Sequence, residues 1–126
     1  MDCPCGSGKS FASCCEPYLK GKENAPTPEA LMRSRYTAYT QNDLAYIEKT
    51  MDGEALKRFH AERNEKKPEP TEWLKLDVLF SEEDKERGTV QFIATFRYAG
   101  KEHFMHEIST FEKKNGKWYY TKGTVS

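Results

Sequence analysis

The segment PEPTEWLKLDVLF, residues 68–80, marks the point at which the hydrophobic pattern of the chain changes. After Pro70, apolar residues alternate with polar neighbours, first at Leu74, Leu76, Val78 and Phe80. This period of two is typical of a β-strand with one buried face. Before Pro70, apolar residues recur with a period of about 3.6, which is typical of helices. The segment therefore separates a helical half of the chain from a strand half.

Three helices are predicted before this point. Thr27 is a capping hydroxyl, and it is followed by Pro28 and Glu29, so a first helix should begin there and run to about Gln41. Asp43 can cap a short second helix, whose inward residues would be Leu44, Ile47 and Met51. A third helix should carry Leu56 and Phe59 inward and end at KKPEP, residues 66–70.

The first helix has an apolar stripe that should form the core, comprising Leu31, Met32, Tyr36, Ala38 and Tyr39. Arg35 falls in the middle of this stripe, where a cation must be paired or must face a polar cavity. We expect a buried ion pair between Arg35 and Glu107 or Asp77, with recognition of a ligand carboxylate or phosphate as the alternative. Arg33, on the far side of the helix, is expected to be solvated.

A ligand pocket would be lined by Arg35, Tyr36, Tyr39 and Glu107, although the tyrosines also suit core packing. His106 and Glu107 are neighbours on a predicted strand and must point to opposite faces of the sheet, so at most one of them faces inward. We therefore assign no catalytic residue.

Four strands are predicted after Pro70. The second has apolar residues at Val90, Phe92, Ala94, Phe96 and Tyr98. Two more runs, near 103–112 and 117–125, are joined by Asn115-Gly116, which is a strong signal for a two-residue hairpin. Helices that precede strands in this way predict an α+β fold, with the helices on one face of a curved four-strand antiparallel sheet.

The N-terminal stretch CPCGSGKSFASCC, residues 3–15, holds all four cysteines of the chain. It contains Gly-Lys-Ser, but a phosphate-binding loop needs a glycine five positions before Gly8, and that position is Cys3. Four thiolates spaced as Cys-x-Cys, eight residues and Cys-Cys match a closed tetrahedral zinc site. A disulfide pair and free redox thiols are the alternatives. Residues 16–27 form a connector, so we expect a knuckle over residues 1–22 and a separate domain over residues 28–126.

Charge and hydropathy narrow the possible partners. Lysine and arginine total 20 and balance 20 acidic residues, so nothing favours nucleic acid or an anionic membrane. The sequence has no leader-like N-terminus and no apolar run long enough to cross a bilayer. We expect a cytoplasmic protein.

The cysteine stretch resembles the SEC-C zinc knuckle. The further stretches CCEPYLKG, LMRSRYTAYTQND, TEWLKLDVL and HEISTFEKKNGKWYYTKGT are similar to the bacterial YchJ-like family over nearly the whole chain. The resemblance implies a nuclear transport factor 2-like (cystatin-like) cone joined to the knuckle, with Zn²⁺ held by Cys3, Cys5, Cys14 and Cys15. It implies no particular activity, because such cones serve as enzymes and as plain binding modules.

These patterns favour a small zinc-binding protein whose knuckle contacts a protein partner and whose cone is a binding module that can hold a small molecule. One alternative is an enzyme of the isomerase or dehydratase type that acts on a small hydrophobic acid in the cone. Another is that the knuckle is purely a structural lid on the cone.

Overall fold

The computed structural model describes residues 2–62 and 71–125. A single 3₁₀ turn, Phe11–Ser13, and a short helix α1, Glu16–Leu19, follow the cysteine loop. Three further helices come next: α2 Pro28–Thr40, α3 Leu44–Lys49 and α4 Gly53–Glu62. Four strands complete the chain: β1 Glu72–Glu83, β2 Arg87–Tyr98, β3 Lys101–Lys114 and β4 Lys117–Val125. The predicted end of the third helix at residues 66–70 lies outside the described residues.

Local capping explains where the helices begin. The Thr27 hydroxyl accepts a hydrogen bond from the Ala30 amide at 3.0 Å, and Pro28 occupies the first turn of α2. Asp43 accepts from the Tyr46 amide at 3.1 Å at the start of α3. Both side chains satisfy amides that have no partner within their helix, as their sequence positions predict.

The strands form one antiparallel sheet in the order β1-β2-β3-β4. Asn115 and Gly116 join β3 to β4 with φ angles of 51° and 80°, the left-handed pair that a tight two-residue hairpin requires. The predicted α+β class, with helices on a four-strand antiparallel sheet, is confirmed.

The core lies between the sheet and α2. Leu31, Met32 and Tyr36 of α2 contact Leu76, Val90, Phe92, Ala94, Phe111 and Trp118 of the sheet, and Cys3, Cys5 and Cys15 belong to the same cluster. A smaller cluster joins Ala38 of α2 to α3 and α4 through Tyr46, Ile47, Met51 and Ala55.

Several residues predicted to face inward do not. Leu44 is 57% exposed, because it is the first residue of α3 and lies outside the cluster with α2 and α4 that buries Ile47. Phe80 is 51% exposed, since the register of β1 shifts between Val78 and Phe80 and moves Phe80 to the outer face. A similar shift between Trp73 and Lys75 leaves Leu74 exposed.

No helix within residues 2–62 and 71–125 combines the length and apolar character needed to cross a membrane. The expected division into residues 1–22 and 28–126 stays a prediction.

Candidate metal centre

The cysteine loop folds back on itself through short-range hydrogen bonds. The Cys3 amide donates to the Lys9 carbonyl at 2.9 Å, and the Gly6 amide donates to the Cys3 carbonyl at 3.2 Å. Gly6 has a φ of 79°, and a Cβ there would lie 3.1 Å from the Leu76 carbonyl oxygen. Glycine at this position therefore permits both the left-handed turn and the close approach of the loop to β1.

The loop brings all four thiols together. The Sγ atoms of Cys3, Cys5, Cys14 and Cys15 lie within 4.8 Å of one another. Cys5 and Cys14 are 3.6 Å apart, and Cys14 and Cys15 are 3.9 Å apart. A tetrahedral site with metal–sulfur bonds of about 2.3 Å has sulfur–sulfur edges of about 3.8 Å. The four cysteines can therefore hold one metal ion without large movement.

The electrostatics of the thiols also favour a bound cation. Hydrogen bonding by Cys15, more than that by Ser7, lowers the pKa of Cys5 to about 4. The pKa of Cys15 is raised by its hydrogen bond to Cys5 and by burial, and burial raises the pKa of Cys14. One thiolate thus suppresses the ionisation of its neighbours, and a divalent cation would remove that penalty.

Groups outside the cysteines also contact the cluster. The Ser7 hydroxyl lies 3.2 Å from Cys14 Sγ, and Thr37 Oγ1 of α2 donates to Cys15 Sγ at 3.4 Å. Arg33 donates through Nη1 to the Cys5 carbonyl at 2.7 Å, while its Nε pairs with Glu29 at 3.0 Å. The prediction that Arg33 is solvated was wrong, because the cysteine loop covers that side of α2.

Sequence reasoning missed Thr37 and Arg33 as neighbours of the thiols. A signal was present, since Glu29, Arg33 and Thr37 recur every four residues and so lie along one face of the helix. Arg33 was expected to be solvated because it lies on the far side of the helix from the apolar stripe.

Arg35 is buried, as predicted, but the expected ion pair was wrong. Among the described residues it forms no salt bridge, and Asp77 pairs instead with Lys75 on the surface. Arg35 Nη1 donates to the Ile47 carbonyl at 2.9 Å and to Thr50 Oγ1 at 2.7 Å. The end of α3 thus supplies backbone and hydroxyl acceptors in place of a carboxylate.

Tyr120 stands between Arg35 and Glu107. The Arg35 guanidinium carbon lies 4.6 Å from the centre of the Tyr120 ring, and the Tyr120 hydroxyl donates to Glu107 Oε2 at 3.1 Å. Burial raises the pKa of Tyr120, which keeps this hydroxyl protonated as a donor. Ser109 donates to the same carboxylate oxygen at 2.6 Å. Glu107 shares its face of β3 with the fully buried Ser109, so Glu107 faces inward, whereas His106, next along the strand, contacts Gln91 at 2.7 Å.

The other two residues of the predicted pocket lie against Trp73. The Tyr36 ring is buried and packs edge-on at 5.9 Å between centroids, and the Tyr39 ring packs at 5.7 Å while its side chain is partly exposed. Tyr39 was expected to lie fully within the core stripe, and its exposure corrects that expectation. The pocket built from Arg35, Tyr36, Tyr39 and Glu107 stays a prediction.

Two open clefts lie elsewhere. One, of about 340 Å³, adjoins the cysteine cluster and includes Lys9, Cys14, Tyr18, Glu29 and Arg33 in its wall. The other, of about 200 Å³, lies between α3 and β4 and includes Tyr46, Lys49 and Trp118. None of the four predicted pocket residues lines either cleft.

Comparisons with known proteins agree with this architecture. Residues 27–123 match the model of the YchJ middle NTF2-like domain, and residues 2–17 match the SEC-C motif. UPF0225 protein GSU1048 of Geobacter sulfurreducens is 41% identical over 125 residues, which cover 96% of this chain and 77% of that protein. UPF0225 protein RSc0270 of Ralstonia nicotianae is 36% identical over 133 aligned positions, which cover 98% of this chain and 91% of that protein.

Two solved structures are also similar. The solution structure of RPA3114, a SEC-C motif containing protein from Rhodopseudomonas palustris, superimposes with a TM-score of 0.86 at 44% identity, covering 100% of this chain and 99% of that one. The crystal structure of a SEC-C motif containing protein from Psychrobacter arcticus gives a TM-score of 0.71 at 29% identity, with 98% and 82% covered. The chain therefore belongs to the YchJ-like UPF0225 family, in which a SEC-C motif precedes an NTF2-like domain.

Proposed function

We propose that this protein is a cytoplasmic zinc-binding interaction module, in which one Zn²⁺ held by Cys3, Cys5, Cys14 and Cys15 fixes the knuckle on the NTF2-like domain. The observation that carries the proposal is the gathering of four free thiols within 4.8 Å. Four thiolate ligands close the coordination sphere and leave no position for a reacting water, so the metal has a structural role. Bound zinc would supply folding free energy to a loop with few apolar residues.

The surroundings of the thiols support this assignment. Cys3, Cys5 and Cys15 are almost wholly buried, and only Cys14 is partly exposed. Buried thiolates in a site of sulfur ligands suit zinc, with iron as the other metal that takes four sulfurs. Clustered thiols that stay reduced are expected in the cytoplasm.

A binding role is favoured over catalysis because apolar side chains of α2 and the sheet pack together in one buried cluster. Val90 and Phe111 are fully buried there. The polar groups among them, including Arg35 and Glu107, already bond to other protein groups. We therefore place the partner surface at the cleft of about 340 Å³ beside the knuckle, where Lys9 and Arg33 lie near Cys14.

Metal analysis tests the zinc proposal. Protein purified without chelators should contain one zinc per chain, and a Cys3→Ser/Cys5→Ser double variant should contain almost none. Ser13→Ala is a matched control, since its hydroxyl bonds to Ser10 and not to a sulfur. A zinc content near zero in the reduced native protein, iron in place of zinc, or full zinc in the double variant would contradict the proposal.

The partner surface is tested separately by charge reversal. Lys9→Glu changes the wall of the cleft without touching a cysteine, whereas Lys101→Glu makes the same change at the far end of the sheet. Proteins captured by the native chain should be lost with Lys9→Glu and retained with Lys101→Glu. If both variants capture partners equally well, the cleft beside the knuckle is not the partner surface.

A further inference from the structure

Thr37 is a buried polar residue of α2 whose side chain turns toward the cysteine cluster. It is fully buried, and its Oγ1 donates to Cys15 Sγ at 3.4 Å and lies 3.7 Å from Cys3 Sγ. A threonine hydroxyl within a helix commonly bonds to a carbonyl one turn earlier. Thr40 does so, donating to the Thr37 carbonyl at 2.6 Å. The direction of the Thr37 hydroxyl therefore requires a different explanation.

We propose that Thr37 is a positioning residue of the metal centre, donating a hydrogen bond to the Cys15 sulfur beside Cys3 and thereby setting how tightly the metal is held. This inference rests on the proposed zinc site. An ionised sulfur can only accept a hydrogen bond, so once Cys3 and Cys15 bind a cation the hydroxyl must be the donor. In a buried site, where water does not reach the sulfurs, that bond offsets part of the thiolate charge.

The geometry divides the donors between two parts of the chain. Ser7, within the loop, lies 3.2 Å from Cys14, which is the partly exposed ligand. Thr37, from the NTF2-like domain, donates to Cys15 and lies near Cys3 on the buried side. The SEC-C match ends at residue 17, so Thr37 lies well outside the motif. The affinity of the knuckle for metal should therefore depend on a residue of the neighbouring domain.

The test compares three substitutions on one helix in the full-length protein. Thr37→Val keeps the shape of the side chain and removes the donor, whereas Thr37→Ser keeps the hydroxyl. Thr40→Val is the matched control, because its hydroxyl bonds to a carbonyl. Zinc affinity is measured by competition with a chromophoric chelator. Loss of a residue that supports metal ligands typically weakens binding by about 10- to 100-fold, so Thr37→Val should fall in this range. Thr37→Ser and Thr40→Val should stay close to the native protein.

Cobalt substitution gives a readout that a packing defect would not reproduce. A hydrogen bond stabilises the sulfur lone pairs, so its loss should shift the sulfur-to-Co²⁺ charge-transfer band of Thr37→Val to lower energy. Thr37→Ser should restore the native spectrum. If Thr37→Val does not fold, Thr37→Ala against Thr37→Ser makes the same comparison, since these side chains differ by one oxygen atom.

The outcomes separate this inference from the proposed function. If the native protein binds no metal, both fail. If it binds one zinc and Thr37→Val matches Thr40→Val in affinity and in the cobalt spectrum, the zinc site stands and the role of Thr37 is refuted.

Discussion

Replacing Arg35 by Met measures what a buried cation contributes to stability when no described acidic residue pairs with it. Arg35 is 3% exposed, and its Nη1 atom donates to the Ile47 carbonyl and to Thr50 Oγ1. Burial lowers the pKa of the guanidinium, because desolvation destabilises its charged form. The aromatic ring of Tyr120 at 4.6 Å offsets part of that cost through its negative face.

The magnitude follows from these contacts. Two hydrogen bonds from a charged donor contribute about 1.5–3 kcal/mol each, and a desolvated cation–π contact contributes about 2 kcal/mol. Desolvation of the guanidinium removes several kcal/mol of this gain. The Thr50 hydroxyl lies 2.8 Å from the Tyr46 carbonyl, which also accepts from the Thr50 amide, and 3.1 Å from the Ile47 carbonyl. Its one proton can therefore turn to the Ile47 carbonyl when Arg35 is removed. We therefore expect Arg35→Met to lower the free energy of unfolding by only about 2 kcal/mol.

Arg35→Ala should cost more, because it also removes the packed stem. Relative to Met, Ala lacks the γ-methylene, the sulfur and the terminal methyl, and these three groups at about 0.8 kcal/mol each add roughly 2 kcal/mol to the loss. The midpoint of thermal unfolding should then fall roughly 8 °C further for Ala than for Met. Circular dichroism of the metal-loaded protein measures both variants: urea unfolding gives the free energy of unfolding, and heating gives the thermal midpoint. Arg97→Met is the control, because Arg97 forms an exposed pair with Glu72.

Two results would refute this reasoning. Equal losses for Met and Ala would show that the stem contributes no packing. A loss for Arg35→Met well above about 4 kcal/mol would show that the guanidinium contacts far outweigh its desolvation.

Three further predictions follow from contacts between parts of the chain. Removing the metal with a chelator should lower the unfolding midpoint of the whole chain, since three cysteines lie in the main core cluster. If the β-sheet unfolds at the same midpoint with and without the chelator, this prediction is wrong. Arg33→Met should speed zinc release to a chelator roughly 10-fold, because a hydrogen bond of about 1.5 kcal/mol from a charged donor to the Cys5 carbonyl is lost. An unchanged release rate in stopped-flow mixing would rule this out. The hydrogen bond from Lys114 holds the pKa of Asp52 below its usual value. The ionised Asp52–Lys114 pair therefore stabilises the folded protein above about pH 4, and this stabilisation is lost as the pH falls further. The unfolding midpoint of Asp52→Asn should therefore lie slightly below that of the native protein at pH 7 and approach it in acid. If the two midpoints differ by the same amount at every pH, the Asp52–Lys114 pair does not contribute this stabilisation.

Features that depend on near neighbours in sequence were predictable. Thr27 and Asp43 cap helices because each accepts from an amide three residues later. Asn115 and Gly116 form the hairpin because both tolerate a positive φ. In these cases the sequence places both partners of the interaction within one turn.

Features that depend on distant partners were not predictable. The acceptor of Arg33 is a backbone carbonyl 28 residues away, and a carbonyl has no sequence signature. Arg35 likewise bonds to a carbonyl at the end of α3. The register shifts in β1 also escaped, since an uninterrupted apolar run such as VLF, residues 78–80, fits either face of a strand.

The two sides of α2 account for the relation between the knuckle and the domain. Arg33 and Thr37 point toward the cysteines, and Arg35 lies about 200° around the helix from Arg33, toward the sheet and α3. Every residue from Ser34 to Ala38 is buried, which a helix covered on one side only would not allow. The helix is therefore an internal element, with the cysteine cluster packed on one side and the sheet on the other. We therefore expect a change in metal occupancy to alter the packing of that helix, so that the knuckle and the core gain or lose stability together.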